Sequence, residues 1–201
     1  MKCLKLSYLI NLINMQRKHF LTAAAIVATF PARLFAQLKT TTAFLLKPFK
    51  AAAGEGRKHG HLQLKGVNRN VLDVKISGSD TDGGIAIFEQ TSLSQGKGTP
   101  LHVHPMQDEI FYVLEGSYRF KVGEELFDLT VGETIFLPRQ IPHAWTQVSP
   151  KGKMIVTLQP AGKLEDFFVS MAALDHEPTK PEIAALFEAN GMKVVGGPLE
   201  I

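Results

Sequence analysis

The chain has 201 residues, 22 Lys+Arg against 19 Asp+Glu, 45% hydrophobic and 20% charged. This is the size and balance of one ordinary domain, and it excludes a collagen-like repeat and a long disordered tail. Cys3 is the single cysteine, which excludes an intrachain disulfide and a Cys-based zinc cluster. The charge is unevenly placed. No acidic residue precedes Glu55, while Lys2, Lys5, Arg17, Lys18 and Arg33 fall in the first 36 positions. Without those five, 17 basic residues face 19 acidic ones, and the formal charge moves from +3 to −2. The remainder is not a basic surface for nucleic acid.

The N-terminus has the order of an export signal. Arg17, Lys18 and His19 precede an apolar run of 11 residues, Phe20 to Phe30, too short to cross a bilayer as a helix. Pro31 ends the run, and Ala36 is the small residue before a cleavage expected near Gln37. Residues 1–36 are therefore expected to direct export, to a periplasm or beyond the cell. No stable membrane span is expected after processing. The segment Gln16 to Leu21 is similar to a twin-arginine signal with Lys18 for the second arginine, so both export routes stay open. Met15 is an alternative start to Met1.

Residues 37–70 are polar and rich in Gly and Lys, and read as an arm or linker with short extended pieces. Residues 71–160 read as strands. Val71 to Ile76 is the first, and Ser77 to Gly84 a turn. Ile85 to Gln90 and Glu109 to Leu114 follow, and Glu115-Gly116-Ser117 turns the chain into Tyr118 to Val122. Leu126 to Leu129, Thr134 to Leu137, Ala144 to Val148 and Met154 to Leu158 complete the set. Short strands separated by frequent turns predict an all-β sandwich or barrel.

Residues 161–201 read as helical. Leu164, Phe167, Phe168, Met171 and Leu174 recur at helical spacing. Thr179-x-x-Glu182 is a capping box with Pro181 in the first turn, and Asn190-Gly191 is a stop. The favoured expectation is that these apolar stripes pack on the outside of the barrel for stability, rather than covering a pocket mouth.

Four residues carry the chemistry. His102 and His104 are two apart, and in a strand such residues share a face. Glu109 opens the next strand and His143 begins a later one. Three imidazole nitrogens and one carboxylate oxygen leave positions open on a six-coordinate metal, as catalysis or ligand capture requires. Such donors suit a divalent transition metal, and Fe, Mn, Ni, Cu, Co and Zn are not distinguished. His59 and His61 repeat the spacing without partners, and His176 lies between the helices, so none of these is expected to bind metal. Arg139, Lys151 and Lys153 are expected to be solvated, and Asp108 to face solvent by strand alternation.

The run Gly96-x5-His102-x-His104-x4-Glu109-x6-Gly116 resembles the first motif of the cupins throughout. Gly132-x5-Pro138, with His143 five residues further on, resembles the second. There Gln140 replaces the family's glycine and Gln147 its terminal asparagine. The stretches Glu109 to Gly116 and Phe136 to Trp145 are most similar to the quercetin-dioxygenase-like branch. The resemblance implies a cupin-type double-stranded β-helix, or jelly-roll barrel, carrying C-terminal helices. It also implies that His102, His104, Glu109 and His143 hold the metal.

A small-molecule substrate follows. The expected activity is that of an oxygenase on a small enol or phenol, with Glu109 as ligand and base. Phe111, Val113, Trp145 and Gln147 share strand parity with Glu109 or His143 and are expected to line the substrate pocket, although Phe111 and Trp145 suit plain core equally. The alternatives are a non-catalytic binding cupin and an isomerase or epimerase on a sugar-like substrate. A homodimer is left open.

Overall fold

The computed structural model describes residues 47–201. The export segment expected over 1–36, and the first part of the arm, lie outside them. In chain order the strands are β1 (Leu62–Gln63), β2 (Val71–Ile76), β3 (Ala86–Ser92), β4 (Pro100–Val103), β5 (Asp108–Glu115), β6 (Tyr118–Val122), β7 (Glu125–Leu129), β8 (Thr134–Leu137), β9 (His143–Gln147) and β10 (Gly152–Gln159). Two helices, α1 (Leu164–Ala173) and α2 (Lys180–Ala189), then precede β11 (Lys193–Pro198). No helix among the described residues is long and apolar enough to cross a membrane.

The strands form two antiparallel sheets, in the orders β1-β2-β3-β10-β5-β8 and β11-β4-β9-β6-β7. The chain thus folds as an all-β double-stranded β-helix with C-terminal helices. Alternation sets the inner faces. In β3, Ala86, Phe88, Gln90 and Ser92 are buried while Ile87, Glu89 and Thr91 between them are half-exposed. Contacts between the sheets define the core: the Phe111 and Phe120 rings lie 5.1 Å apart, and the Tyr118 hydroxyl donates to Ser92 Oγ at 2.8 Å.

Two glycines permit the close approaches that the barrel needs. A Cβ on Gly98 would sit 1.6 Å from the Trp145 carbonyl oxygen, so only glycine lets this loop lie against β9. Gly116, at φ +80°, turns β5 into β6, and a Cβ there would meet the Lys151 carbonyl oxygen at 2.2 Å.

Besides β4, which only the His102-x-His104 spacing implied, two strands lie outside the expected set. β1 pairs with β2 through Leu62↔Leu72, inside the stretch expected to be an arm, and Leu62 and Leu64 belong to the core. β11 pairs with β4 through Val194↔His102. It covers the outer edge of the strand that carries the histidines.

The helices form where expected. Leu164, Phe167, Phe168 and Met171 of α1 are buried on one face. α2 opens on the reciprocal Thr179–Glu182 cap, with Pro181 in its first turn, and Gly191 leaves it at φ +78°. Their placement differs from the favoured expectation: both contribute to the wall of an internal cavity.

Candidate metal centre

β4 and β9 are neighbours, and His102 lies directly opposite His143. The His102 side chain points between the sheets, and His104, one residue past the end of β4, joins it. Glu109 comes from the other sheet, where β5 places it opposite Leu158 and Leu137. One ligand atom from each of these four residues lies within 4.8 Å of the other three, and all four residues are buried. The imidazole centroids are 4.5 Å apart for His102 and His143, 5.2 Å for His102 and His104, and 5.4 Å for His104 and His143. Glu109 Oε2 stands 3.2 Å from His143 Nε2 and 3.8 Å from His104 Nε2.

Local bonds set the imidazole tautomers. His102 Nδ1–H donates to the Pro100 carbonyl at 2.8 Å, and His143 Nδ1–H to the Ile141 carbonyl at 3.1 Å. Each bond turns Nε2 toward the cluster. The buried Nε2 atoms of His104 and His143 have no hydrogen-bond partner among the described residues. A buried polar atom left so costs about 1–3 kcal/mol, and a cation at the centre of the cluster would satisfy both. Burial lowers the His102 pKa well below the usual histidine value, helped by His143 and then His104. Burial also lowers that of His104, against the pull of Glu109. Neutral imidazoles are the form that ligates. Three nitrogens and one oxygen thus fit a divalent transition metal.

A cavity of about 50 Å³ opens against His102, His104 and Glu109. Phe111 and Trp145 line it. Val113 and Gln147 do not. Both are fully buried, but further along their strands. Gln147 is committed elsewhere: its Oε1 accepts from the Ser94 amide at 2.9 Å and its Nε2 donates to the Ser149 carbonyl at 2.8 Å. Strand parity gives the face and not the depth. At about 3.4 Å per residue, a position four residues from a ligand is about 14 Å away along the strand.

The rest of the wall comes from parts of the chain distant in sequence. α1 contributes Phe167, Phe168 and Met171, α2 contributes Phe187, and the segment after β1 contributes Asn68. The Phe187 ring stands edge-on to His102, with centroids 5.1 Å apart. No Lys or Arg lines the cavity among the described residues.

The other titratable groups are placed apart. His61 meets Asp73 at 2.7 Å and His59 meets Glu165 at 2.8 Å, well separated in partners from the buried cluster. His176 lies between Asp175 and Glu182. Asp108 turns outward to a two-pronged pair with Arg139, which holds its carboxyl down at about 2. Arg139 is thus paired rather than merely solvated.

The cupin domain family matches residues 90–158, a span that contains all four clustered residues. A quercetin 2,3-dioxygenase of Bacillus subtilis is 31% identical over 110 residues, covering 54% of this chain and 30% of that protein. An uncharacterized protein of Methanocaldococcus jannaschii is 40% identical over 48 residues, covering 24% of this chain and 38% of that one. The chain therefore spans about a third of the length of these curated relatives. A solved cupin 2 conserved barrel domain protein from Leptotrichia buccalis is 23% identical, with a TM-score of 0.39, over 45% of this chain and 40% of that one. Both motifs, the two-sheet barrel and the matched span agree: residues 90–158 are a cupin domain, within a single cupin barrel among the described residues.

Proposed function

We propose that this cupin is a metal-dependent oxygenase acting on a small enol or phenol, with dioxygen as the oxidant. The observation that carries the reading is the buried three-histidine, one-carboxylate cluster at the end of an apolar cavity, with two imidazole nitrogens left unpaired. A divalent transition metal held there supplies Lewis-acid and redox chemistry. His102, His104 and His143 hold it as neutral donors. Glu109 supplies the one anionic oxygen and stands within the site as the acceptor for the substrate's hydroxyl proton. Phe111, Trp145 and the helical residues exclude water and leave the substrate little freedom to reorient. The likeness to a quercetin 2,3-dioxygenase over half of the chain supports the same class of reaction. An isomerase handling phosphorylated sugars would need cations in its wall, and none lines it among the described residues.

Oxygen uptake by protein of known metal content, supplied with a panel of small enols, phenols and flavonols, tests the proposal. At least one compound should be consumed together with dioxygen. A fully metal-loaded protein that consumes oxygen with none of them is a binding cupin instead. Glu109→Gln keeps the shape and an oxygen but removes the base. Turnover should then fall by about 10²–10⁴-fold, mainly in kcat, with metal retained on the three histidines. Full turnover in that variant would remove Glu109 from the role of base.

A further inference from the structure

We infer that the cavity is built for a compact, acyclic enol carrying a single negative charge, and that Phe187 of α2 sets the upper limit on its size. This rests on the metal-binding reading above and narrows its substrate class.

Size comes first. The cavity holds about 50 Å³, whereas a cavity of roughly 150 Å³ is what takes up a benzene ring. A flavonol, with three rings, is far beyond the space present, and even one ring does not fit until the wall gives. On one side that wall is the barrel itself, with Phe111 and Trp145 fixed on paired strands. On the other it is helical. Phe187 is 2% exposed, edge-on to His102 and also edge-on to Phe167, with centroids 4.7 Å apart. It is the only residue of α2 that is fully buried, and its ring occupies the space next to a metal ligand that a larger ligand would need.

Charge comes second. Three neutral imidazoles, one carboxylate and a divalent cation sum to one positive charge. A ligand that enters with one net negative charge neutralises it, and passing a proton to Glu109 leaves that total unchanged. A second anionic group would enter an apolar space with no Lys or Arg among its lining residues, and an unpaired charge so placed is strongly disfavoured. The uncharged polar groups of the wall are Asn68, Gln90 and Thr99. Asn68 commits its Oδ1 to the Asn70 amide and Gln90 its Nε2 to Ser92 Oγ. Each retains another amide atom for a neutral carbonyl or hydroxyl of the ligand.

The test uses full-length protein loaded with Co(II), whose visible bands report the donors around the ion without any turnover. Acetohydroxamate, benzohydroxamate and 4-carboxybenzohydroxamate present one and the same chelating group with rising size and then an added charge. In the wild type, acetohydroxamate should shift the bands, with benzohydroxamate weaker by about 30-fold or more, within the range a pocket's shape can enforce. In Phe187→Ala, benzohydroxamate should come within about three-fold of acetohydroxamate. The 4-carboxy compound should stay about 100-fold weaker than benzohydroxamate, since the substitution adds room but no cation. Phe187→Leu keeps an apolar filler and should give an intermediate limit, which preserves the test if the alanine variant does not fold.

Equal binding of acetohydroxamate and benzohydroxamate by the wild type would overturn the size limit. Unchanged discrimination in folded, Co(II)-loaded Phe187→Ala and Phe187→Leu would remove Phe187 from it. Tight binding of the carboxylate compound would overturn the charge limit. A protein that takes up no Co(II) overturns the metal reading and this inference together, whereas the other outcomes overturn this inference alone.

Discussion

His59-x-His61 and His102-x-His104 have the same spacing and opposite surroundings. The first pair lies in a Gly- and Lys-rich stretch before β1. Its members face different carboxylates, Glu165 and Asp73, and the His61 side chain is 65% exposed. The second pair is at most 4% exposed, and a histidine from β9 and a glutamate from β5 converge on it. Spacing decides only which side chains share a face. What makes a site is the register that brings two further strands to the same point, together with burial that leaves nitrogen atoms unpaired.

The largest expected effect separates the two pairs. Replacing His102, His104 or His143 by Ala should lower metal affinity by more than about 100-fold, since loss of a mere supporting partner of a ligand already costs 10–100-fold. The same loss should lower the melting temperature of metal-loaded protein, because metal stabilises only the folded state. His59→Ala and His61→Ala should leave the metal content of the purified protein unchanged. His59→Ala, which breaks a partly exposed pair with Glu165, should also shift stability by no more than about 1 kcal/mol. Equal metal loss from both pairs, measured by elemental analysis, would dissolve the contrast.

A smaller effect follows from pH. In the folded, metal-free chain the pKa values of His102 and His104 are lowered below the ordinary 6.5, chiefly by burial. Below that value the unfolded chain takes up protons that the folded chain refuses. The stability present above pH 6.5 is therefore lost as pH falls from there toward the lowered folded values. The slope is up to about 1.4 kcal/mol per pH unit for each histidine. Denaturant titrations of metal-free protein between pH 8 and 5 should show this fall. A flat profile in that window would mean that the deep pair is hydrated when the metal is absent.

Much of the barrel was legible in the sequence because its strands announce themselves locally. β2, β6 and β8 run over the residues expected, each bounded by turn residues, and β2 and β6 alternate apolar with polar side chains in sequence. β11 was not legible. It lies within residues 161–201, which read as helical, and only pairing with β4, some ninety residues earlier, makes the segment a strand. The four clustered residues were legible through motif spacing. The cavity was legible only within about 7 Å of them, the two-residue step that reaches Phe111 from Glu109 and Trp145 from His143. Phe187, Met192, Asn68 and Gln90 come to the same wall through long-range packing, which neither local periodicity nor the motif encodes. The α1 stripe was visible, but a stripe states that a face is buried and not what it is buried against.

The smallest effect concerns the turn that braces the deep pair. Gln140 stands where the family's second motif has glycine, and it adopts φ +68°, the left-handed conformation that glycine takes freely. Its amide donates to the His104 carbonyl at 2.9 Å, so the turn before β9 is tied to the backbone of a ligand from the other motif. A side chain in that conformation costs about 1–2 kcal/mol. Glycine would remove the cost but add about 0.5–1 kcal/mol of chain entropy lost on folding. Gln140→Gly should therefore be stabilising by roughly 0.5–1 kcal/mol, a rise in melting temperature of roughly 1–4 °C for a chain of this size. Metal content should not change, because the amide that reaches His104 remains. The exposed pair has no such brace to relieve. A fall in melting temperature would show that the Gln140 side chain contributes contacts worth more than its strain, and metal loss would show that the turn's rigidity sets the position of His104.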